Sequence, residues 1–192
     1  ALIENKEITT KELMNYIKGP DFPTGGIILG RNGILEAYET GRGKIILRGK
    51  AEVQKNKITI TEIPYQLNKS TLIEDIVLLV KEKRIEGITD IRDESDKNGI
   101  SIVIEVKNNS NPELILNQLY SYTQLQTSFG VINIALINNE PKLMTLKDII
   151  NHYIEHRKTI ITRRTKFDLE KSEQRLHILD GLQIALNNID NV

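Results

Sequence analysis

From Thr40 to Val53 the sequence reads TGRGKIILRGKAEV, and no other stretch restricts the possible folds so tightly. Read as a β-strand, it sends successive side chains to opposite faces. Ile45, Leu47, Gly49, Ala51 and Val53 fall on one face, all small or apolar. Arg42, Lys44, Ile46, Arg48 and Lys50 fall on the other. A strand of this kind needs a sheet covered on one side and open on the other. Most charged strand faces are simply solvated. Here, however, Thr40 to Lys50 holds four cations and no Asp or Glu. Alternate residues on a strand lie about 6.7 Å apart, so the cations form a row. Such a row on a rigid sheet can follow a phosphate backbone. Gly33, Gly41, Gly43 and Gly49 would let that backbone approach closely.

The rest of the chain supplies partners for this strand. A short helix is expected within 7–17, capped by Thr9 or Thr10, with Leu13, Met14 and Ile17 on one side. KGPDFPTGG then forces a turn-rich loop. Strands are expected at Ile27–Leu29, Ile45–Val53 and Ile58–Ile63, the last two joined by a hairpin at 54–57. Thr71 to Arg84 reads as an amphipathic helix opened by a Thr71-x-x-Glu74 capping box. Ile88–Arg92 and Ile100–Lys107 read as strands with an Asn98-Gly99 turn between them. Asn111 caps a helix that begins at Pro112 and runs to about Tyr122. Val131–Ile137 is a further strand, and from Thr145 the pattern is helical to the end. Leu179, Leu182, Leu186 and Ile189 step at coiled-coil spacing. The expected fold class is therefore α+β. A leading helix and linker occupy 1–18, and a mixed or antiparallel sheet with packed helices occupies 19–140. A long helical segment entering a coiled coil occupies 141–192.

Bulk properties narrow the function only a little. The formal net charge is zero, so any case for a polyanionic partner rests on local charge. There is no cysteine, which removes disulfides, thiolate metal sites and thiol nucleophiles. No apolar run approaches the ~20 residues of a membrane span, and ALIENKEITT lacks the core of a signal peptide. Without an initiator Met, the chain reads as a piece of something longer. A cytoplasmic setting is expected.

Three motifs compete with the basic strand. His152-Tyr-Ile-Glu155-His156 matches an inverted zinc-peptidase pattern, and the two imidazoles share one helix face. No third ligand is evident downstream, and RKTIITRRTK places cations beside it. Glu94, Asp96, Asn98, Gly99 and Glu105 imitate a calcium loop, but the flanks alternate like strands, where such loops sit between helices. GRGK lacks both the leading glycine and the Ser/Thr of a phosphate loop. Arg157, Lys158, Arg163, Arg164 and Lys166 form a second basic cluster on the long helix. Few aromatics interleave with any of these cations, which favours duplex over single-stranded nucleic acid. A coiled-coil dimerisation module without nucleic-acid contact is a third possibility.

GPDFPTGGIILGRNGILEAYETGRGKIILRGKAEV resembles the A subunits of bacterial type IIA DNA topoisomerases. The likeness continues through TEIPYQLNKSTLIEDI, KEKRIEGITDIRDESDKNGISIVIEVK, LYSYTQLQTSFG and RRTKFDLEKSEQRLHILDGLQIALNNID. YETGRGK and TQLQTSFG look more like the gyrase branch than topoisomerase IV. The resemblance implies the "tower" region, which supports the duplex to be cleaved, and the start of the coiled-coil arm. It implies double-stranded DNA and, as protein partners, one more A-type chain plus the B-type subunits, with no membrane. It implies a location at the bacterial nucleoid or in a DNA-containing organelle. Mg2+ and ATP would belong to the B-type subunits, with no cofactor in this stretch. No catalytic residue is expected either, because the tyrosine nucleophile lies upstream; in AYET, Ala37 stands where an Arg is needed beside Tyr38. Arg42, Lys44, Arg48 and Lys50 are the expected DNA contacts, with Arg31 and Lys69 behind them. A monomer is expected, since the dimer contacts implied by the resemblance lie elsewhere. One departure stands out: the family's Phe-Gly-Ile/Val-Asn-Met is here Phe129-Gly-Val-Ile-Asn133-Ile, with the Asn displaced by one.

Overall fold

The computed structural model describes residues 1–97 and 99–187. All strand pairs within its three sheets are antiparallel. The first sheet orders β1 (Ile27–Leu29), β2 (Arg42–Arg48) and β7 (Gln126–Ile132). The second orders β3 (Lys50–Gln54), β4 (Lys57–Glu62), β6 (Ile102–Val106) and β5 (Ile88–Asp93). A hairpin of β8 (Ile134–Ile137) and β9 (Glu140–Leu143) makes the third. The helices are α1 (Thr10–Leu13), α2 (Asn32–Thr40), α3 (Lys69–Lys81), α4 (Pro112–Tyr122) and α5 (Leu146–Asn187).

The second sheet carries the main core. Ile58 and Ile60 of β4 and Ile102 and Ile104 of β6 point to one side and are fully buried. Leu72, Ile76 and Leu79, spaced one helical turn apart on α3, close over them with Ile115 and Leu119 of α4. Each such side chain contributes about 1.5–3 kcal/mol of burial. The first sheet has a smaller core, where Ile45 and Leu47 meet Ile34 and Tyr38 of α2. Phe22 and Tyr65 come from the two Pro-containing loops and meet Phe129 edge to face at 5.1 and 6.1 Å between centroids. The aromatic trio thus ties both loops to β7.

The expected Ile45–Val53 strand is two strands. At Gly49 the chain leaves the first sheet for the second. A Cβ there would lie 2.6 Å from Leu125 Cδ1 and 2.7 Å from the Glu62 carbonyl oxygen, so only glycine fits. The Val131–Ile137 strand is also divided, at Asn133. That residue's N–H donates to the Gly41 carbonyl (2.8 Å), its side-chain amide to the Ala37 carbonyl (3.3 Å), and its carbonyl accepts from Met144 N–H (2.9 Å). The displaced Asn therefore joins α2, β7 and the start of α5.

Some helix ends differ from expectation. α3 starts at Lys69, two residues before the expected cap, because the Asn68 side chain accepts from the N–H groups of Ser70 and Thr71. Thr71 is thus inside the helix. α2 was not expected at all: its cap position is Arg31, which makes no side-chain cap bond, so no start signal exists. It stops at Gly41, whose φ of 79° suits glycine. Thr9 with Glu12, and Asn111 with Pro112, cap α1 and α4 as expected. α1 is only one turn long. Asp96 and Gly99 close the β5–β6 connection through backbone bonds, while Asn98 lies outside the described residues.

α5 runs 42 residues, about 63 Å at 1.5 Å per residue. Leu2, Ile8 and Leu13 pack on its first turns at Leu146, Ile150 and Ile154. From Glu155 to Asn187 every residue is exposed, including Leu179, Leu182 and Leu186. Ile189 lies outside the described residues.

Candidate nucleic-acid interface

The outer face of the first sheet is set by strand register. Arg42 stands opposite Ile132, Lys44 opposite Gly130, Ile46 opposite Ser128, and Arg48 opposite Gln126. On the far side of β2, Leu29 pairs with Ile46 and Ile27 with Arg48. No Asp or Glu occurs at any of these positions. α2 covers the opposite side, so this face is open. Among the described residues, Arg42 and Lys44 make no salt bridge. A Cβ added at Gly130 would meet nothing within 4 Å, so the space beside Lys44 is clear.

The other four candidates stand differently. Arg48 donates from Nε and Nη2 to Gln126 Oε1 at 2.8 and 2.5 Å, and its guanidinium lies 4.3 Å from the Tyr120 ring centroid. Tyr120 in turn donates to the Gly49 carbonyl at 3.1 Å. Arg48 therefore braces the junction between the sheets. Lys50 belongs to the second sheet, 3.7 Å from Glu62, whose other oxygen accepts from Gly26 N–H at 2.5 Å. Lys69 pairs with Asp93 at 2.7 Å; that lysine and two Ser95 bonds hold the Asp93 carboxyl at about 2. Arg31 lies beyond β1, in a cleft with Lys11 and Lys18. The structure thus brings Arg42 and Lys44 together on one strand face, with Arg48 and Lys50 at the junction of the sheets, Arg31 after β1, and Lys69 apart from them, paired with Asp93 on the edge strand of the second sheet.

The glycines do not serve an approaching ligand as the sequence suggested. A Cβ at Gly33 would strike the Lys44 carbonyl oxygen, and one at Gly43 would strike the Gly33 carbonyl oxygen. Both close α2 onto β2 from inside. The neighbour of Lys44 that sequence reasoning missed is Gly130, because its alignment with Lys44 depends on a partner 86 residues away, 44 to 130.

The outer face of the second sheet offers a contrast. Arg92 is held by Glu105 (2.6 Å), Asp90 (3.1 Å) and Glu94 (3.3 Å). Its hydrogen bond to Glu105 leads the causes that raise its pKa. Glu94 and Glu105, two residues of the imitated calcium loop, are thereby engaged by a cation. His152 and His156 are exposed on α5, and Glu155 pairs with Lys158 at 2.7 Å. Among the described residues no three metal-ligating side chains converge. Tyr38 is buried beneath the first sheet, where desolvation and then Asp21 raise its phenol pKa.

The model of the DNA gyrase/topoisomerase IV family of A subunits matches residues 1–192. This chain belongs to that family. It is 57% identical over 196 residues to the A subunit of DNA gyrase from Clostridium acetobutylicum, covering 100% of this chain and 24% of the relative. It is 54% identical over 199 residues to that of Aeromonas salmonicida, covering 100% and 22%. It is 54% identical over 196 residues to that of Halalkalibacterium halodurans, covering 100% and 24%. The chain therefore spans about a quarter of the length of these gyrase relatives. Among the described residues, no helix is long and apolar enough to cross a membrane.

Proposed function

We propose that this chain is the duplex-supporting tower region, with the start of the coiled-coil arm, of a gyrase of the A type. The observation that carries this reading is the open, acid-free face of the first sheet, where Arg42 and Lys44 make no salt bridge among the described residues. Cations on a rigid sheet read backbone charge and shape, and no base edges. Arg42 and Lys44 are the primary contacts, with Arg48 and Lys50 at the junction and Arg31 after β1 as secondary ones; Lys69, paired with Asp93 on the second sheet, is the weakest candidate. The relatives named above are gyrases, which favours gyrase over topoisomerase IV.

In the assembled enzyme the reaction is transient double-strand cleavage through a phosphotyrosine link, passage of a second duplex driven by ATP, and religation. The partners are the B-type subunits of gyrase, which bring ATP and Mg2+, and one more A-type chain, in an A2B2 assembly in the bacterial cytoplasm. This chain contributes no catalytic residue. Its part is to hold the flanking duplex at a set angle.

The test is fluorescence anisotropy of duplex DNA across a salt series. If Arg42 and Lys44 neutralise two phosphates, changing both to Ala lowers the log–log salt slope by about 1.8. An unchanged slope makes the face a solvated surface, and Arg157–Lys166 on α5 becomes the candidate.

A further inference from the structure

A cleft of about 400 Å³ opens between α1 and the start of α2. Lys11, Lys18 and Arg31 line it with Asn15 and Asn32, and Met14 and Leu35 supply its apolar wall. The three cations come from three separate segments: α1, the loop after it, and the turn after β1. No carboxylate lines the cleft. Among the described residues none of the three cations makes a salt bridge.

Cations gathered around one cleft repel each other, and an anion relieves that repulsion. The donor set also narrows the anion. An arginine fork, two ammonium groups and two side-chain amides offer more donors than one carboxylate can accept, and a phosphate presents several acceptor oxygens. We infer that this cleft is a phosphate-binding site. The phosphate is either one of a DNA backbone or a free phosphate ion. A DNA phosphate would reach the cleft round the edge of the first sheet, because α2, which borders the cleft, covers the side opposite the cation face of β2. In that form the inference rests on the DNA reading above.

The test is a backbone-amide NMR titration of the 192-residue chain, with inorganic phosphate in one arm and a 20-base-pair duplex (about that length suffices) in the other. Three proteins are compared: wild type, Lys11→Gln with Lys18→Gln, and Arg42→Ala with Lys44→Ala. Inorganic phosphate should shift the Asn15, Arg31 and Asn32 amides saturably. The cleft variant should weaken that response about fivefold, on the scale of one lost charge pair. The Arg42/Lys44 variant should leave it unchanged. With duplex the same amides should move, and the cleft variant should lower the salt slope by about 0.9. Saturation by phosphate with no duplex effect supports the site and assigns it to free phosphate. A phosphate response that is absent, or equal in wild type and cleft variant, overturns the inference. Loss of duplex binding in the Arg42/Lys44 variant alone speaks to the DNA reading and leaves the phosphate arm to judge the cleft. Both lysines are exposed, so a melting curve matching wild type is the folding control.

Discussion

Two sheet faces carry cations in this chain, and they treat them in opposite ways. On the second sheet, Arg92 is surrounded by Asp90, Glu94 and Glu105. On the first, Arg42 and Lys44 have no acidic neighbour on their face. One chain segment runs through both sheets, crossing at Gly49, and its cation row changes character there: Lys50 already meets Glu62. A compensated cation is engaged in its own fold, whereas an uncompensated one is available to a polyanion. Counting cations along the strand hides this difference. The charge of the neighbouring strands reveals it.

The comparison depends on the junction staying intact, so the largest effect is expected there. Gly49→Ala forces a Cβ against Leu125 and the Glu62 carbonyl. It should cost about 2–3 kcal/mol in urea denaturation, as overpacking does. A cost under a few tenths would mean that the sheets are not rigidly joined. Arg48→Ala removes the bonds to Gln126 and the contact with Tyr120. A loss of about 1–2 kcal/mol in stability is expected, with the salt slope of DNA binding changed less than by Arg42→Ala. The reverse pattern would make Arg48 a direct DNA contact.

Smaller changes can give the first sheet the chemistry of the second. Ser128 lies across from Ile46, diagonal to Lys44 and Arg48, and is exposed. Ser128→Glu should weaken duplex binding several-fold, about 1 kcal/mol, through a new cross-strand pair, with melting unchanged. Equal binding would show that the face does not touch DNA.

The smallest effect concerns Asp93, whose pKa falls from 3.8 to about 2 in the fold. A carboxyl with a depressed folded pKa stabilises above its unfolded value and loses that contribution as pH falls through the folded one. The Lys69–Asp93 pair should therefore lose its contribution between about pH 4 and pH 2. Denaturation midpoints followed over that window should flatten in Asp93→Asn.

Much of this was legible in the chain itself. The alternation of TGRGKIILRGKAEV correctly placed Ile45 and Leu47 inside and Arg42, Lys44 and Ile46 outside. Periodicity and the Asn111-Pro112 cap located α4, and the unbroken helical pattern after Thr145 located α5. These features are local: a strand's faces and a helix's cap depend on residues within a few positions. Even the glycines were legible as close approaches, although what approaches them was not.

Tertiary structure alone decided the rest. That Gly49 separates two sheets depends on Leu125 and Glu62 closing around it. That Arg48 is engaged depends on Gln126 and Tyr120, and that Arg42 and Lys44 are not depends on Gly130 and Ile132 standing opposite. Lys11, Lys18 and Arg31 share a cleft only because α1 and α2 pack together. Alternation along one strand determines which side chains share a face. The charge of that face depends on strands brought beside it from far along the chain, and local pattern carries no record of them.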